Sequence, residues 1–165
     1  MLLTGGLATG KTAVAKEVVA IAGKLGLGAA AIDLDWLGWA TGATIGFDAL
    51  IARNLSAVAE NYAQLGIDRL VLARALVGSS GVQSVAGALA GWELTVIRLA
   101  SSRAVVEQRL RARDSGSELR EHLAEIDEMT SKVTAAAPGA LVVVNDGRDP
   151  GDVAREVIRL AAWIV

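Results

Sequence analysis

Eight residues near the start of the chain, Gly5-Gly6-Leu7-Ala8-Thr9-Gly10-Lys11-Thr12, carry its strongest chemical signal. They fit the spacing G-x-x-x-x-G-K-T. Glycines so placed let backbone amides curl inward around a phosphate, and a helix that follows aims the positive end of its dipole at the same group. The lysine of such a loop reaches the outer phosphates of a nucleotide as a point charge, and the hydroxyl beside it suits a magnesium ion. Lys11 and Thr12 hold those places, so ATP with Mg²⁺ is the expected ligand pair. The context supports the motif, because an apolar stretch precedes it and a helical pattern follows. The competing reading is a glycine-rich turn that matches by chance.

A second group of chemical residues, Asp33 and Asp35, closes the next apolar stretch. Residues two apart in a strand share a face. Both carboxylates are therefore expected to project from the carboxyl end of a sheet, where open α/β folds bind ligands. One carboxylate suits the Mg²⁺ shell, and the other suits a hydroxyl that must be oriented or deprotonated. A pair that merely caps the next segment is the alternative. The third apolar stretch, Leu70-Val71-Leu72-Ala73-Arg74, ends without an acid. Asp33 is thus the better metal candidate, with Thr12. Arg74 is either a contact for an anionic or polar acceptor or a surface arginine.

Arg103, Arg109, Arg111 and Arg113 fall on one expected helix. Arg103, Glu107 and Arg111 form a row of i, i+4 neighbours, which reads as a solvated ion-pair face. Arg109 and Arg113 form another row, shared with Val105, just before the break at Asp114-Ser115-Gly116. Arginine forks over a transferring phosphoryl group stabilise its spread charge, so these two are candidates for catalysis, Arg109 also for nucleotide binding. Asn145-Asp146-Gly147-Arg148 follows the last apolar stretch. Asn145 and Arg148 either border an adenine ring there or belong to a plain strand-to-helix turn. Trp36 and Trp39 sit in a glycine-spaced segment beside the acidic pair, placed to stack on a ring or cover an apolar acceptor. The single histidine, His122, is expected on the flank of an amphipathic helix.

The elements that must position these groups alternate in type. Apolar strands are expected over residues 1–4, 29–33, 69–73, 93–99 and 140–144. Helices are expected over 11–25, 47–65, 81–90, 102–113 and 117–136, with a last helix opened by Asp149 as cap and Pro150 in its first position. Residues 36–46 hold Gly38, Gly42 and Gly46 and read as a mobile loop or broken helix. Strands alternating with helices argue for an α/β fold, a parallel sheet covered on both faces.

Bulk composition sets limits. The chain has 165 residues, enough for one domain with one core. A net charge of −2 with no long basic run gives no nucleic-acid footprint. Without cysteine there is no disulfide, thiolate metal site or cysteine nucleophile. No apolar run reaches the roughly 20 residues that span a bilayer, and the glycine loop at the start does not read as a secretion signal. No membrane partner is expected, and the cytoplasm is the default location.

These features together resemble the small P-loop kinases of the nucleoside-monophosphate-kinase type, among them gluconate, shikimate and adenylylsulfate kinases and the chloramphenicol phosphotransferases. The resemblance rests on Gly5 to Thr12, on Asp33 with Asp35, on Arg109 with Arg113, and on the final strand, loop and helix from Leu141 onward. It implies a three-layer P-loop NTPase fold with a five-stranded parallel sheet in the order 2-3-1-4-5. It also implies ATP with Mg²⁺, a short helical lid over about residues 109–136 that closes, and Asp35 facing the acceptor. The acceptor segment lacks the arginine pattern by which nucleotide kinases grip a monophosphate. The leading expectation is a phosphotransferase acting on a hydroxyl of a small molecule. A nucleoside monophosphate kinase using Arg53 and Arg74, and a nucleotide-binding regulatory ATPase without an acceptor, are the alternatives.

Overall fold

The computed structural model describes residues 1–78 and 80–164. In chain order the elements are β1 (Leu2–Thr4), α1 (Lys11–Lys24), β2 (Ala29–Asp33), α2 (Leu34–Gly38), α3 (Phe47–Gln64), β3 (Arg69–Ala73), α4 (Gly81–Ala88), β4 (Val96–Ala100), α5 (Arg103–Arg113), α6 (Gly116–Ala136), β5 (Leu141–Val144) and α7 (Pro150–Leu160). The strands form one sheet in the order β2-β3-β1-β4-β5, and every pairing is parallel. The expected strand order is the one found.

Period-two alternation divides the core between the two sheet faces. Leu3, Val71, Ala73, Ile97, Leu99 and Val143 face a layer that contains Val14 and Val18 of α1 and Val153, Val157 and Ile158 of α7. Their sequence neighbours Leu2, Ile32, Leu70 and Leu72 face the opposite layer, with Ile51 and Leu55 of α3 and Val85 of α4. Strands buried on both faces need continuous apolar runs, which is why β1 and β3 read as such. A third seam joins Val106, Leu110 and Ile126 of α5 and α6 to Leu7 and Ala8 of the glycine loop. The helices of the expected lid therefore rest on the glycine loop itself. Among the described residues no helix is long and apolar enough to cross a membrane.

Most element ends fall within two residues of the sequence reading, and the fourth strand departs furthest. The fourth strand begins at Val96, not Glu93, because β1 begins at Leu2 and pairs with Val96, leaving Glu93 and Leu94 no partner strand. The segment after β2 forms one helical turn and then runs irregularly to Gly46. Gly38 closes that turn against α3, where a Cβ would stand 2.6 Å from the Phe47 ring and 2.8 Å from Ile51. Only glycine lets α2 lie so close. At the end of the chain, Asp149 caps α7 by accepting from the Gly151 amide at 2.8 Å, and Pro150 takes the first helical position as expected.

Candidate active site

The glycine loop leads directly from β1 into α1. Gly10 stands in the N-cap position with φ 91°, and no side chain caps the helix. Its first amides are left free, which is the usual condition for holding an anion. A Cβ at Gly10 would approach Asn145 Nδ2 to 2.6 Å, so both the positive φ and the close neighbour require glycine.

The loop is braced from behind. Thr9 Oγ1 donates to the Gly6 carbonyl at 3.1 Å. Asn145 Nδ2 donates to the Thr9 carbonyl at 2.8 Å. Arg109 donates from Nη1 to the Ala8 carbonyl at 3.2 Å and from Nη2 to the Asn145 carbonyl at 2.8 Å. Ser101 donates to the Asn145 carbonyl at 3.1 Å and accepts from Arg109 at 3.3 Å. Loop, β5 end and lid helix are thus tied into one network. Asn145 is buried, with Oδ1 lacking a partner among the described residues. It stands behind the loop, between the Thr9 carbonyl and Arg109. Arg148 turns to β5 and to α7. It donates to the Val144 carbonyl at 2.9 Å and pairs with Glu156 at 2.7 Å, and it does not line the loop cavity.

That cavity, about 240 Å³, is lined by Ala8 to Ala13 with Arg109 and Arg113. The face assignment of α5 holds. Arg109 and Arg113 line the cavity, whereas Arg111 lies exposed, 4.0 Å from Glu107, and Arg103 pairs with the same glutamate at 2.8 Å. Lys11 Nζ donates to the Gly5 and Gly6 carbonyls at 3.0 and 2.8 Å. Burial lowers the Lys11 ammonium to about 8, with the Asp35 and Asp33 charges pulling it back up. Three cations around a ring of amides suit a polyanion such as a nucleotide triphosphate.

Thr12 Oγ1 donates to Asp33 Oδ2 at 3.1 Å. Hydroxyl and carboxylate oxygens side by side are the donor set that Mg²⁺ takes. The pair of acids, however, does not share a strand face. Asp33 ends β2 and becomes the cap of α2, its Oδ1 accepting from the Asp35 amide at 3.3 Å, and Asp35 belongs to the first helical turn. A short polar side chain at a strand end competes for the next amides and starts a helix. The two carboxylates still meet, because both line a second cavity of about 430 Å³ with Trp36, Trp39 and Phe47. Asp35 Oδ1 lies 3.2 Å from Arg74 Nε. Partial burial raises the Asp35 carboxyl above the ordinary range, against the opposing pull of Arg74.

Two acids escaped the sequence reading. Asp48, in the first turn of α3, accepts from Arg74 Nη2 at 2.6 Å. Asp114, in the break between α5 and α6, accepts from Arg113 Nε and from Nη2 at 2.9 Å, and contacts His122 Nδ1 at 2.7 Å. Its side chain is only 4% exposed, and the Arg113 guanidinium, with His122, holds its carboxyl down to about 2. The available sequence signal for Asp114 was an acid directly after a basic helix end.

No protein-family model matches the sequence, and no curated protein matches it. Solved structures do resemble the fold. A sugar kinase from Janibacter sp. HTCC2649 superposes with a TM-score of 0.65 at 16% identity, covering 97% of this chain and 92% of that one. A gluconokinase from Sinorhizobium meliloti 1021 gives 0.63 at 19% identity, covering 98% and 90%. A shikimate kinase from Bacteroides thetaiotaomicron gives 0.63 at 20% identity, covering 97% and 96%. The chain shares the fold of these three structures.

Proposed function

We propose that the chain is an ATP-dependent phosphotransferase acting on a hydroxyl group of a small molecule. One observation carries the reading: Thr12, which lines the loop cavity, donates to Asp33, which lines the aromatic cavity with Asp35, so that one hydrogen bond joins the walls of the two cavities. Two cavities whose walls are bonded to each other at a hydroxyl and a carboxylate suit a reaction between two ligands.

In this reading the amides of Gly5 to Thr12 and the cations Lys11, Arg109 and Arg113 hold the nucleotide, and Thr12 with Asp33 would hold Mg²⁺. ATP with its metal supplies the phosphoryl group, the bond to its bridging oxygen being exchanged for one to the acceptor oxygen, with ADP left over. Asp35 orients the acceptor hydroxyl and takes its proton. A carboxyl raised toward neutrality is better matched to that task than an ordinary one. Arg113, hinged on Asp114 at the edge of the cavity, answers charge that spreads onto the transferring group. Trp36, Trp39 and Phe47 cover the acceptor. Arg148 and Asn145 have no part in contacting ligand, Asn145 acting through the loop it braces.

A nucleoside monophosphate as acceptor needs free cations in the second cavity. Arg74, the nearest, is already shared by Asp35 and Asp48. A regulatory ATPase needs no second cavity at all. Screening hydroxyl compounds, nucleoside monophosphates and ring-bearing antibiotics for stimulated ADP release tests the choice. Stimulation by hydroxyl compounds is expected. ADP release indifferent to every compound would transfer the weight to the regulatory reading.

A further inference from the structure

The walls of the second cavity have a composition that says more than its position. Trp36 and Trp39 are 67% and 76% exposed and Phe47 is 49% exposed, on a protein whose other large apolar side chains are mostly in the core. The two tryptophans lie three residues apart at α2 and its end. Their ring centroids are 4.7 Å apart with planes tilted by 55°. Tilted rings make a corner, and Phe47 stands on the third side of the same cavity. Aromatic rings prefer offset or edge contacts with another ring, and their apolar area gains from being covered.

The charges of the cavity are equally one-sided. Asp33 and Asp35 line it, and no cation does among the described residues. Arg74 lies nearby, with its side chain only 13% exposed. Its Nε faces Asp35, its Nη2 faces Asp48, and its guanidinium carbon lies 5.4 Å from the centre of the Phe47 ring. Two edges and a face of the guanidinium are therefore taken. Its single positive charge stands against three carboxylates, counting Asp33. Lys11 is close enough for its charge to offset part of that of Asp35 and Asp33, but it does not line this cavity and its Nζ is bonded to the Gly5 and Gly6 carbonyls. An anion entering the aromatic corner would meet like charge and no free partner, an arrangement that discriminates strongly against it.

We infer that this cavity selects an uncharged or cationic hydroxyl compound carrying a flat, largely apolar ring, and rejects acceptors that bear a carboxylate or phosphate. The term acceptor rests on the phosphotransferase reading; the selectivity does not. The ring lies in the corner of Trp36, Trp39 and Phe47, and its hydroxyl points toward Asp35. A cationic substituent is tolerated beside Asp33.

Matched compounds that differ in one group test this by binding alone. Calorimetry in the presence of ADP compares phenyl glucoside with phenyl glucuronide, thymidine with thymidine monophosphate, and phenyl glucoside with glucose. The uncharged member of each charged pair is expected to bind at least about tenfold more tightly, and the phenyl group is expected to add about tenfold over glucose, each tenfold being about 1.4 kcal/mol. Trp39→Ala removes an exposed ring without touching the core and should abolish the phenyl advantage. Asp48→Asn frees part of Arg74 and should narrow the gap between glucoside and glucuronide. Equal or tighter binding of the anionic members, or failure of every uncharged ring compound to bind at millimolar concentration, would overturn the inference. If the ranking holds while no compound stimulates ADP release, the selectivity stands and the phosphotransferase reading fails. If release is best stimulated by a carboxylate, the reverse is true.

Discussion

Arg109 and Trp39 line neighbouring cavities and are held on opposite terms. Arg109 is bonded to the Ala8 and Asn145 carbonyls and to Ser101, within a network that also locks Thr9 and Gly6. Trp39 is 76% exposed at the end of a single helical turn, followed by an irregular stretch to Gly46. In the proposed reading, the nucleotide half is built before any ligand arrives. The acceptor half leaves its apolar surface in water, to be covered by whatever fits. Phosphates are alike in every nucleotide, so a rigid cradle loses nothing by being fixed in advance. Acceptors differ, and an adaptable aromatic segment on a fixed acidic floor is the economical place for that difference. Arg109 also departs from the picture of a clamp that forms upon closure, since its contacts to the loop already exist.

The sharpest way to break this contrast is to substitute the groups where the halves meet. Asp35→Asn keeps the shape of the side chain and removes the base, so transfer should fall by about 10²–10⁴-fold with ATP affinity almost intact. Lys11→Ala should lower transfer by about 10²–10³-fold and weaken nucleotide binding together with it. Stopped-flow transfer beside calorimetric ATP affinity reads both variants. If Asp35→Asn loses ATP affinity as Lys11→Ala does, the two cavities are one site and the division between a nucleotide half and an acceptor half is wrong.

The rigidity of the nucleotide half makes a second, smaller prediction. Asn145→Ala leaves the Thr9 carbonyl without its buried donor, which should cost about 1–3 kcal/mol of stability. Trp39→Ala, at an exposed ring, should change stability by no more than about 0.5 kcal/mol. Denaturant unfolding of the two variants checks the ratio. Equal losses would mean that the aromatic segment is as structural as the brace behind the loop.

What the sequence revealed and what it hid divides along chain distance. Lys11, Thr12 and the glycines lie within one motif, and the alternation that separates Leu2 from Leu3 and Leu72 from Val71 is local too. Strand order followed from the resemblance and was found as expected. The pairing of Asp33 with Asp35 failed over a span of two residues, because period-two counting assumes the strand continues. Asp33 instead turns the chain by accepting the Asp35 amide. The bracing contact of Asn145 was hidden for the opposite reason. Its partner Thr9 lies 136 residues away, and a lone polar residue after a strand carries no mark of what it will brace. The start of β4 was set by the length of β1, a property of another strand. Asp48 and Asp114 looked like ordinary helix-end acids until folding brought Arg74 and His122 to them.

Asp114 offers the finest test of how firmly the nucleotide half is fixed. Its buried carboxylate joins Arg113 at the end of α5 to His122 on α6, and so ties the cavity-lining arginine to the second lid helix. Those partners favour the ionised form and lower the carboxyl from 3.8 to about 2 in the folded chain. A carboxyl whose folded value lies below its unfolded value adds stability that is complete above the unfolded value, and this is lost as pH falls through the folded one. Asp114→Asn keeps the size of the side chain and discards the charge. The variant should therefore be less stable than the parent near neutral pH, and the gap should close as pH drops from about 4 toward about 2. Its transfer rate should also fall, because Arg113 loses the partner that sets its guanidinium at the cavity edge. Arg111→Ala provides the comparison on the solvated face, where Arg111 stands 4.0 Å from Glu107, and should leave both rate and stability almost unchanged. Thermal unfolding across that pH range, for parent and both variants, reads the tether directly. A stability gap that stays constant with pH would mean that the charge of Asp114 contributes nothing. Arg113 would then be as loosely held as the tryptophans opposite, and the contrast between the two halves would stop at Arg109.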